Sequence, residues 1–423
     1  MMKAAERDYF SDPEIVQDPH EYFAAARAEA PLWREPYHNV LLVTGYEQIL
    51  EVLTRNDGTF SSAASVIGPI PPLPFAVEGD DISEALERHR DEMPWSAHLT
   101  SFDGRKHAEQ RALLMPLLTF KRLKANEEYL RGLADKVIGR FIDKGGCNVA
   151  SEYAHAVATY AISDLLGIPE EDRSVLVELL GVPPSQLDGD AAHRVGADPL
   201  IFLKERFDGY LRARQADPSS DLMSELVHSR FKDGSEPDLD TLSNLARFLF
   251  GAGQDTTSRL MTMAVRALGD DPELQARIRA QPERIPDLLE ESLRWDGPVK
   301  TVYRLAVRRT TVAGMDVPAG TLLGLALTAG SNDPAHFEEP RAFDIDRAHL
   351  RDHLAFSRGS HGCIGAPLAR IEARVAIERL LARTADIRIS EAHHGPHGAR
   401  IYRYEPTYSF RSLSDLHVEL TPA

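Results

Sequence analysis

The strongest indication of the fold is in residues 354–381, LAFSRGSHGCIGAPLARIEARVAIERLL. Phe356, Gly359 and Gly365 surround Cys363 in a tight turn, and the apolar spacing after the turn predicts a long amphipathic helix. A cysteine just before a helix N-terminus lies near unpaired backbone N–H groups and the positive end of the helix dipole, so its thiolate is favoured. The segment therefore predicts a nucleophilic or metal-binding cysteine.

The setting of Cys363 differs from that of Cys147, the second cysteine. Glycines on both sides of Cys363 remove side chains where a large, flat group could lie against the backbone. Cys147, in DKGGCNV, is interpreted as a small apolar filler. Two cysteines among 423 residues cannot make a disulfide framework, which favours a reducing compartment.

The segment around Cys363 resembles the heme-binding loop of the cytochrome P450 family, in which a cysteine thiolate is the axial ligand of the heme iron. The family spacing is met by Phe356, Gly359, Cys363 and Gly365. His361 matches a family position that binds a heme propionate, and Ser357 stands where many bacterial members have glycine. The resemblance implies a heme b cofactor with Cys363 as the iron ligand.

A second motif is the Glu-x-x-Arg pair in LLEESLRWDGPV. Glu291 and Arg294 are three residues apart on one predicted helical face, where they can form an ion pair. Taken alone, the pattern predicts a surface pair worth less than ~1 kcal/mol. The resemblance implies instead a buried charge cluster, of which Arg347 in FDIDR would be the third member.

A third motif, FLFGAGQDTTSRL, crosses the middle of a predicted helix of about thirty residues. Gly251 and Gly253 each cost about 1 kcal/mol there relative to alanine, which predicts a local opening of the helix; close helix packing on the glycines is the alternative. The segment resembles the oxygen-binding motif of the family at Ala252, Gly253, Asp255, Thr256 and Thr257. The resemblance implies that Thr256 and Asp255 deliver protons during O–O cleavage.

Three cationic side chains complete the set of motifs. His107 and Arg111 are four residues apart on one predicted helical face, a pattern that by itself is typical of a solvated surface. Arg304 follows Arg294 by ten residues and matches the family arginine that contacts a propionate. The resemblance implies that His107, Arg111 and Arg304 bind the heme propionates.

Apolar periodicity predicts a mainly helical protein with a minor β component. The predicted helical segments are 105–141, 154–166, 239–268 and 366–382, and the predicted strands lie in 40–45 and 301–327. The resemblance covers nearly the whole chain and implies a single-domain cytochrome P450 fold over residues 1–423, with a long central helix over the heme, small β-sheets and an N-terminal lead-in at 1–20. Residues near 107, 255, 304 and 363 would then converge on one heme.

Residues 59–103 break the helical pattern and contain the proline-rich GPIPPLPF. Loops of this length are usually lids or binding loops, or else disordered. Phe75, Met93, Trp95 and Leu99 provide apolar anchors, so we interpret the segment as a substrate lid with a short polar helix at DISEALERHRDE.

Composition and charge exclude several classes of protein. The chain is 43% hydrophobic and 27% charged, as expected of a globular protein, and its net charge of −17 argues against non-specific nucleic-acid binding. No stretch reaches the ~18 apolar residues that a membrane span needs. We expect a cytoplasmic protein, a monomer with no membrane or nucleic-acid partner.

The resemblance implies a monooxygenase that inserts one oxygen atom from O₂ into an organic substrate by hydroxylation or epoxidation. Two cysteines cannot hold a four-cysteine iron–sulfur cluster, so NAD(P)H would act only indirectly, through a ferredoxin and its reductase. Residues 105–124 contain six basic residues against one acid, and we expect an acidic redox protein to dock there.

Three other functions stay open at the level of sequence: a peroxide-dependent peroxygenase or decarboxylase, a non-catalytic heme or ligand-binding protein on the same fold, and a cysteine-nucleophile enzyme with His361 as the base. The first two are disfavoured by the intact Asp255–Thr256 pair. The third leaves Arg304 and His107 without a role.

By family analogy, the substrate pocket is predicted to include Phe248, Val299, Lys300, Val302 and Phe410. These mixed side chains suit a mid-sized secondary metabolite, such as a terpenoid, a polyketide or an aromatic compound. Strand alternation puts Lys300 and Val302 on one face. Lys300 would then offer an ammonium to a substrate carboxylate, or point away to solvent or to Asp296.

Overall fold

The computed structural model describes residues 3–65, 73–180 and 200–423. Most of the described chain is helical, as the periodicity predicted. The α-helices are Pro13–Gln17, His20–Glu29, Tyr46–Thr54, Ser83–Arg88, Gly104–Leu114, Phe120–Ala125, Glu127–Ile138, His155–Leu166, Glu170–Leu180, Lys204–Ala216, Leu222–Val227, Leu239–Asp270, Pro272–Ala280, Ile285–Asp296, Leu327–Gly330, Ala366–Arg383 and Glu391–His394.

The β component consists of short strands. They are β1 (Leu32–Arg34), β2 (Leu41–Val43), β3 (Phe60–Ser61), β4 (Gly146–Asn148), β5 (Val302–Ala306), β6 (Thr310–Val312), β7 (Met315–Val317), β8 (Leu322–Leu325), β9 (Thr384–Ile389) and β10 (His417–Pro422). In the described chain they form a five-stranded sheet in the order β1-β2-β8-β5-β3, a three-stranded sheet β4-β10-β9 and the hairpin β6-β7. The largest sheet holds Arg304 in β5, opposite Leu323 of β8.

The predicted elements at 40–45, 154–166, 239–268, 301–327 and 366–382 are confirmed, with bounds shifted by a few residues. The segment 105–141 is helical but is interrupted by a 3₁₀ turn at Met115–Leu118, where Pro116 removes a backbone donor. Gly314 and Gly320 adopt φ of 77° and 80° at the predicted turns. Cys147 is buried in β4, in agreement with its interpretation as a core residue.

Helix Leu239–Asp270 is the longest described element and packs against His155–Leu166, Lys204–Ala216, Ile285–Asp296 and Ala366–Arg383. It begins at Asp238, whose carboxylate accepts the N–H of Thr241 at 2.7 Å.

The local opening predicted in this helix is wrong, because the helix runs without a break through Gly251 and Gly253. A methyl group on Gly251 would come within 2.8 Å of the Leu200 side chain, and one on Gly253 within 3.3 Å of Ile162. The glycines therefore allow close packing, which was the alternative.

The substrate-lid segment is anchored as its apolar residues predicted. Met93 and Leu99 are buried, and Phe75 and Trp95 are half-buried. The polar stretch forms helix Ser83–Arg88 and a 3₁₀ turn at Arg90–Glu92. Most of GPIPPLPF lies outside the described residues.

A search of the described helices finds none that could cross a lipid bilayer.

Candidate active site

The loop that carries Cys363 is held by backbone contacts. The Cys363 N–H donates to the Phe356 carbonyl at 2.8 Å, across a 3₁₀ turn at Gly359–His361. Gly359 has a φ of 71°, and a Cβ there would overlap the Leu53 carbonyl oxygen. No side chain fits this position, which explains why the motif requires glycine. Helix Ala366–Arg383 begins three residues after the cysteine.

Ser357 carries backbone strain in this loop. It adopts a φ of 56°, in the left-handed region that favours glycine, and its buried hydroxyl has no hydrogen-bond partner in the parts of the chain described above. Glycine would avoid both costs.

Cys363 reaches accessible surface although protein surrounds it. Burial raises the pKa of its thiol, and the effect is opposed by the backbone N–H of Gly365, by the charge of Arg111, by the N–H of Ala366 and by the charge of Arg370. The accessible surface is therefore the wall of a recess and not an outer face. These N–H groups and cations stabilise a thiolate more than a thiol.

Four cationic or titratable side chains from three segments converge beside this loop: His107, Arg111, Arg304 and His361. The rings of His107 and His361 stack with centroids 3.9 Å apart, and Arg111 donates to the Gly362 carbonyl at 2.7 Å. Burial, followed by the charge of Arg304, lowers the pKa of His361 to about 2. Burial also lowers the pKa of His107.

Arg304 is buried, and its guanidinium donates at 2.7 Å to the carbonyl of its neighbour Tyr303. Burial lowers its pKa to about 10, against the charge of Asp103. That carboxylate is already bonded to Ser61, Ser62 and Arg90. In the described chain no carboxylate forms an ion pair with Arg304, so its charge is uncompensated.

Arg304 is a buried cation with no ion-paired acid in the described chain, and an anionic ligand would stabilise it, because an isolated charge in a protein interior is costly. A group with two carboxylates, as in heme, satisfies this need. Gly365 adds room, since a Cβ there would have only Cys363 Sγ, at 3.8 Å, within 4 Å. The residues present therefore fit heme at this place.

The central helix contributes its Ala252–Thr256 segment. Ala252 is exposed, although the residues around it in the middle of the helix are buried or half-buried, so this face borders open space. The Thr256 hydroxyl donates to the Ala252 carbonyl at 2.8 Å. Arg259 donates to Asp255 Oδ1 from Nε at 2.9 Å and from NH2 at 2.8 Å. The Asp255 side chain stays 37% exposed, so solvent reaches this carboxylate.

The Glu-x-x-Arg pair is not a surface ion pair. Glu291 and Arg294 are both fully buried and form two hydrogen bonds of 2.7 Å. Arg347 Nε lies 3.5 Å from Glu291 Oε1, so the predicted third member is present. Arg294 also donates to the carbonyls of Pro340 and Ala342. The cluster therefore ties helix Ile285–Asp296 to the loop before Arg347.

Several of the predicted pocket residues come together. Val299 pairs with Phe410 in an isolated β-bridge, and Val302 is half-buried at the start of β5. Phe248 lies one helical turn before Ala252, and its ring centroid is 6.3 Å from that of His98 in the lid segment. The ring centroids of His98 and Trp95 are 5.6 Å apart, so the aromatic side chains of the lid segment pack toward the central helix at Phe248.

Lys300 does not support the predicted contact with a substrate. Its side chain is buried, and Nζ lies 3.4 Å from the Val16 carbonyl of helix Pro13–Gln17. Burial, with the charge of Arg411, lowers its pKa to about 7, against the attraction of Asp296. The alternation argument was wrong because β5 begins only at Val302, so Lys300 has no strand geometry.

Sequence reasoning missed a second ion cluster and the partner of Asp255. Glu290 accepts from His353 and Arg370, and Arg259 holds Asp255. The spacing of Asp255 and Arg259, four residues apart in a helix, was a usable signal. Nothing in the sequence paired Glu290 with Arg370.

Comparison with known proteins agrees with this geometry. The family model described as Cytochrome P450 matches residues 191–384. The structure of Mycobacterium marinum cytochrome P450 CYP150A6 in the substrate-free form shares 43% identity over 100% of both chains, with a TM-score of 0.92. Cytochrome P450 monooxygenase PikC of Streptomyces venezuelae is 30% identical over 88% of this chain and 86% of its own length. Cyclomarin C epoxidase CymV of Salinispora arenicola is 29% identical over 88% of this chain and 90% of its own.

The chain belongs to the cytochrome P450 family. It is a cytochrome P450 monooxygenase, of a family that binds heme b and uses O₂ with electrons from NAD(P)H that arrive through redox partners.

Proposed function

We propose that Cys363 is the axial ligand of the heme iron and that the enzyme inserts one oxygen atom from O₂ into a mid-sized organic substrate. The observation that carries the proposal is the place of Cys363, an accessible thiol just before a helix and beside Arg111 and the buried Arg304, which has no ion-paired acid in the described chain. Heme, when bound, supplies the activation of O₂ and the oxidation of the substrate.

The residues of the loop and of β5 bind and orient the cofactor. Arg304, His107, Arg111 and His361 would hold the propionates. Gly365 leaves room beside Cys363 for the cofactor, and Gly359 lets the loop pack against the Leu53 carbonyl. Because Arg304 and the two histidines come from three separate segments, they hold the chain together around the cofactor as one domain.

Asp255 and Thr256 manage protons on the central helix. Asp255 is half-exposed and anchored at Oδ1 by Arg259, so Oδ2 is the oxygen that can exchange a proton with solvent. The Thr256 hydroxyl is held by the Ala252 carbonyl and can accept a proton from the carboxyl side and donate one toward the exposed Ala252 face. A relay of this kind admits protons without opening the site to bulk water.

We assign electron delivery to an acidic ferredoxin that docks on residues 105–124. Lys106, Lys121 and Lys124 are exposed, and Met115 offers an apolar surface beside them that is 54% exposed. Arg105 and Arg122 are paired with Glu109 and Glu225, and Lys106 lies over the ring of Phe102. Lys121 and Lys124 form no ion pair within the described residues. The contact from Arg111 to the Gly362 carbonyl joins this surface to the residue before Cys363. A cytoplasmic location follows from such a partner.

The substrate is assigned to mid-sized secondary metabolites. Phe248, Val302 and the bridged pair Val299 and Phe410 give aromatic and aliphatic walls, and His98 and Trp95 close the lid side. Relatives named for a monooxygenase and for the epoxidation of cyclomarin C support hydroxylation or epoxidation.

The test is the absorption spectrum of the reduced, CO-bound protein, in which iron–thiolate ligation gives a band near ~450 nm. We expect this band in the wild type and in Cys147→Ala and its loss in Cys363→Ala. A Cys363→Ala variant that keeps the band would refute the ligand assignment. Titration of a metabolite library for the shift from low to high spin, followed by product analysis with a ferredoxin and its reductase, then identifies the substrate.

A further inference from the structure

A second, partly buried ion cluster lies beside the Glu291–Arg294 pair. Glu290 is 2% exposed, whereas the Arg370 side chain is 37% exposed. Glu290 accepts hydrogen bonds from His353 Nε2 at 3.0 Å and from Arg370 Nε and Nη2 at 2.5 and 2.9 Å. Burial opposes ionisation of this carboxyl, but the hydrogen bonds from Arg370 and His353 outweigh it and lower its pKa to about 2. The two adjacent glutamates of helix Ile285–Asp296 thus anchor two different parts of the chain.

Arg370 connects this cluster to the cysteine loop. It lies seven residues after Cys363, in the second turn of helix Ala366–Arg383, and its guanidinium is 4.5 Å from the centroid of the Phe356 ring. The His353 ring lies 5.9 Å from the same ring. Phe356 is therefore contacted by two members of the cluster, and its carbonyl accepts the Cys363 N–H at 2.8 Å.

We propose that Arg370, held by Glu290, is a positioning residue for Cys363: it fixes the Phe356 ring and hence the loop, and the Glu290–Arg370 charges set the reduction potential of the bound heme. The inference rests on the assignment of Cys363 as the iron ligand and adds two residues that act on it without touching the cofactor.

The two effects have different chemical requirements. The clamp on Phe356 needs a planar guanidinium, which stacks on an aromatic ring and binds a carboxylate with two parallel donors. A lysine ammonium can lie over a ring, but it has no planar face to stack and no pair of parallel donors. The effect on potential needs only charge, because a cation near the iron favours the reduced state and an anion favours the oxidised state. Conservative and charge-changing substitutions therefore separate them.

The experiment uses the heme-loaded protein with Arg370→Met, Arg370→Lys and Glu290→Gln. The control is Arg374→Met, one turn further along the same helix, where the arginine pairs with Glu127 and Glu378. Two quantities are measured in each variant: the midpoint potential by spectroelectrochemistry, and the rate at which the reduced CO complex converts from the 450 nm to the 420 nm form on mild heating.

We expect Arg370→Met to make the potential more negative, Glu290→Gln to make it less negative, and Arg370→Lys and Arg374→Met to leave it near the wild-type value. Conversion to the 420 nm form should be at least about threefold faster in all three cluster variants than in the wild type, and unchanged in Arg374→Met. Shifts of the same sign in Arg370→Met and Glu290→Gln, or no shift in either, would overturn the proposal. So would an Arg370→Lys variant that converts as slowly as the wild type.

Should Arg370→Met fail to fold, Glu290→Gln and Arg370→Lys still decide between these outcomes. A wild type without a 450 nm band would instead refute the ligand assignment, so the two failures are distinguishable.

Discussion

The imidazole rings of His107 and His361 lie face to face, with centroids 3.9 Å apart and planes inclined by 27°. One ring comes from helix Gly104–Leu114 and the other from the loop before Cys363, and Arg304 of β5 lies close enough to depress the pKa of both. Three parts of the chain thus meet around the buried guanidinium of Arg304, whose charge favours the neutral form of both imidazoles. An anionic ligand beside Arg304 would stabilise this arrangement, which leads to the first prediction.

Replacement of Arg304 by methionine should have opposite effects on the two forms of the protein. The cofactor should dissociate at least ~10-fold faster, equivalent to about 1.4 kcal/mol, because a propionate loses a buried partner. The cofactor-free protein should gain stability, because an uncompensated buried guanidinium is removed. Heme transfer to an excess of apomyoglobin measures the first effect and urea unfolding the second. The control is Arg308→Met, at an exposed arginine that pairs with Asp81; equal rates of heme loss in both variants would exclude a propionate contact of Arg304.

Thr256→Ala should keep the cofactor and the helix but divert electrons from product to hydrogen peroxide, because the hydroxyl that passes protons is lost. We expect the product formed per NAD(P)H to fall severalfold, with peroxide accounting for the difference. Asp255→Asn should instead slow NAD(P)H consumption by roughly 10-fold or more, since the relay loses its acid.

Thr262→Ala is the matched control for this prediction, because the Thr262 hydroxyl donates to the Ser258 carbonyl at 2.8 Å in the same helix and in the same way. An unchanged product yield in Thr256→Ala, together with an unchanged rate of NAD(P)H consumption in Asp255→Asn, would contradict the relay.

Charge reversal at Lys121 and Lys124 should slow reduction by an acidic ferredoxin through a lower association rate with a flatter salt dependence. Both lysines are exposed, and neither takes part in an ion pair within the described chain, so the fold should be unaffected. Stopped-flow reduction at several ionic strengths measures the effect, and substrate affinity should not change. Reversal of Lys3 and Lys144, which are also exposed, matches the change in net charge; equal slowing in the two double variants would show that no local docking surface is involved.

Lys300→Met should stabilise the protein near neutral pH. Burial lowers the pKa of Lys300 from 10.5 to about 7, so between these values the unfolded chain binds a proton that the folded chain does not. The free energy of unfolding of the wild type therefore rises with pH between about 7 and 10.5, and the destabilisation caused by buried Lys300 is largest near pH 7. We expect a gain of about 2 to 4 kcal/mol at pH 7 that shrinks toward zero as pH approaches 10.5.

Urea unfolding at both ends of this window tests the prediction, with Lys144→Met as an exposed control. A variant that is less stable than the wild type at neutral pH would mean that the ammonium is charged and compensated. The Lys300→Met substitution should not weaken the binding of acidic ligands more than that of neutral ligands, because Lys300 contacts the Val16 carbonyl.

Features that lie within one segment of the chain could be predicted from local sequence patterns. These features are the Phe356–Gly365 loop, the helix after it, and the pairing of Glu291 with Arg294. They are predictable because a turn or a helix fixes the relative positions of residues close in sequence. The same reasoning failed in the central helix. Gly251 and Gly253 lower the intrinsic stability of the helix, but they allow the side chains of Leu200 and Ile162, which are distant in sequence, to pack closely against it.

The class of fold, the family, the cysteine and the order of its motifs can be predicted from the amino-acid sequence, because they depend on short-range periodicity and on residue types that one kind of chemistry requires. The partners of the buried charges are visible only in the folded protein. There, Arg304 has no ion-paired acid in the described chain, Asp255 pairs with Arg259, Lys300 contacts the Val16 carbonyl, and Glu290 binds Arg370. The energy of a buried charge depends on its partners, and folding brings these partners together from positions that no local pattern relates.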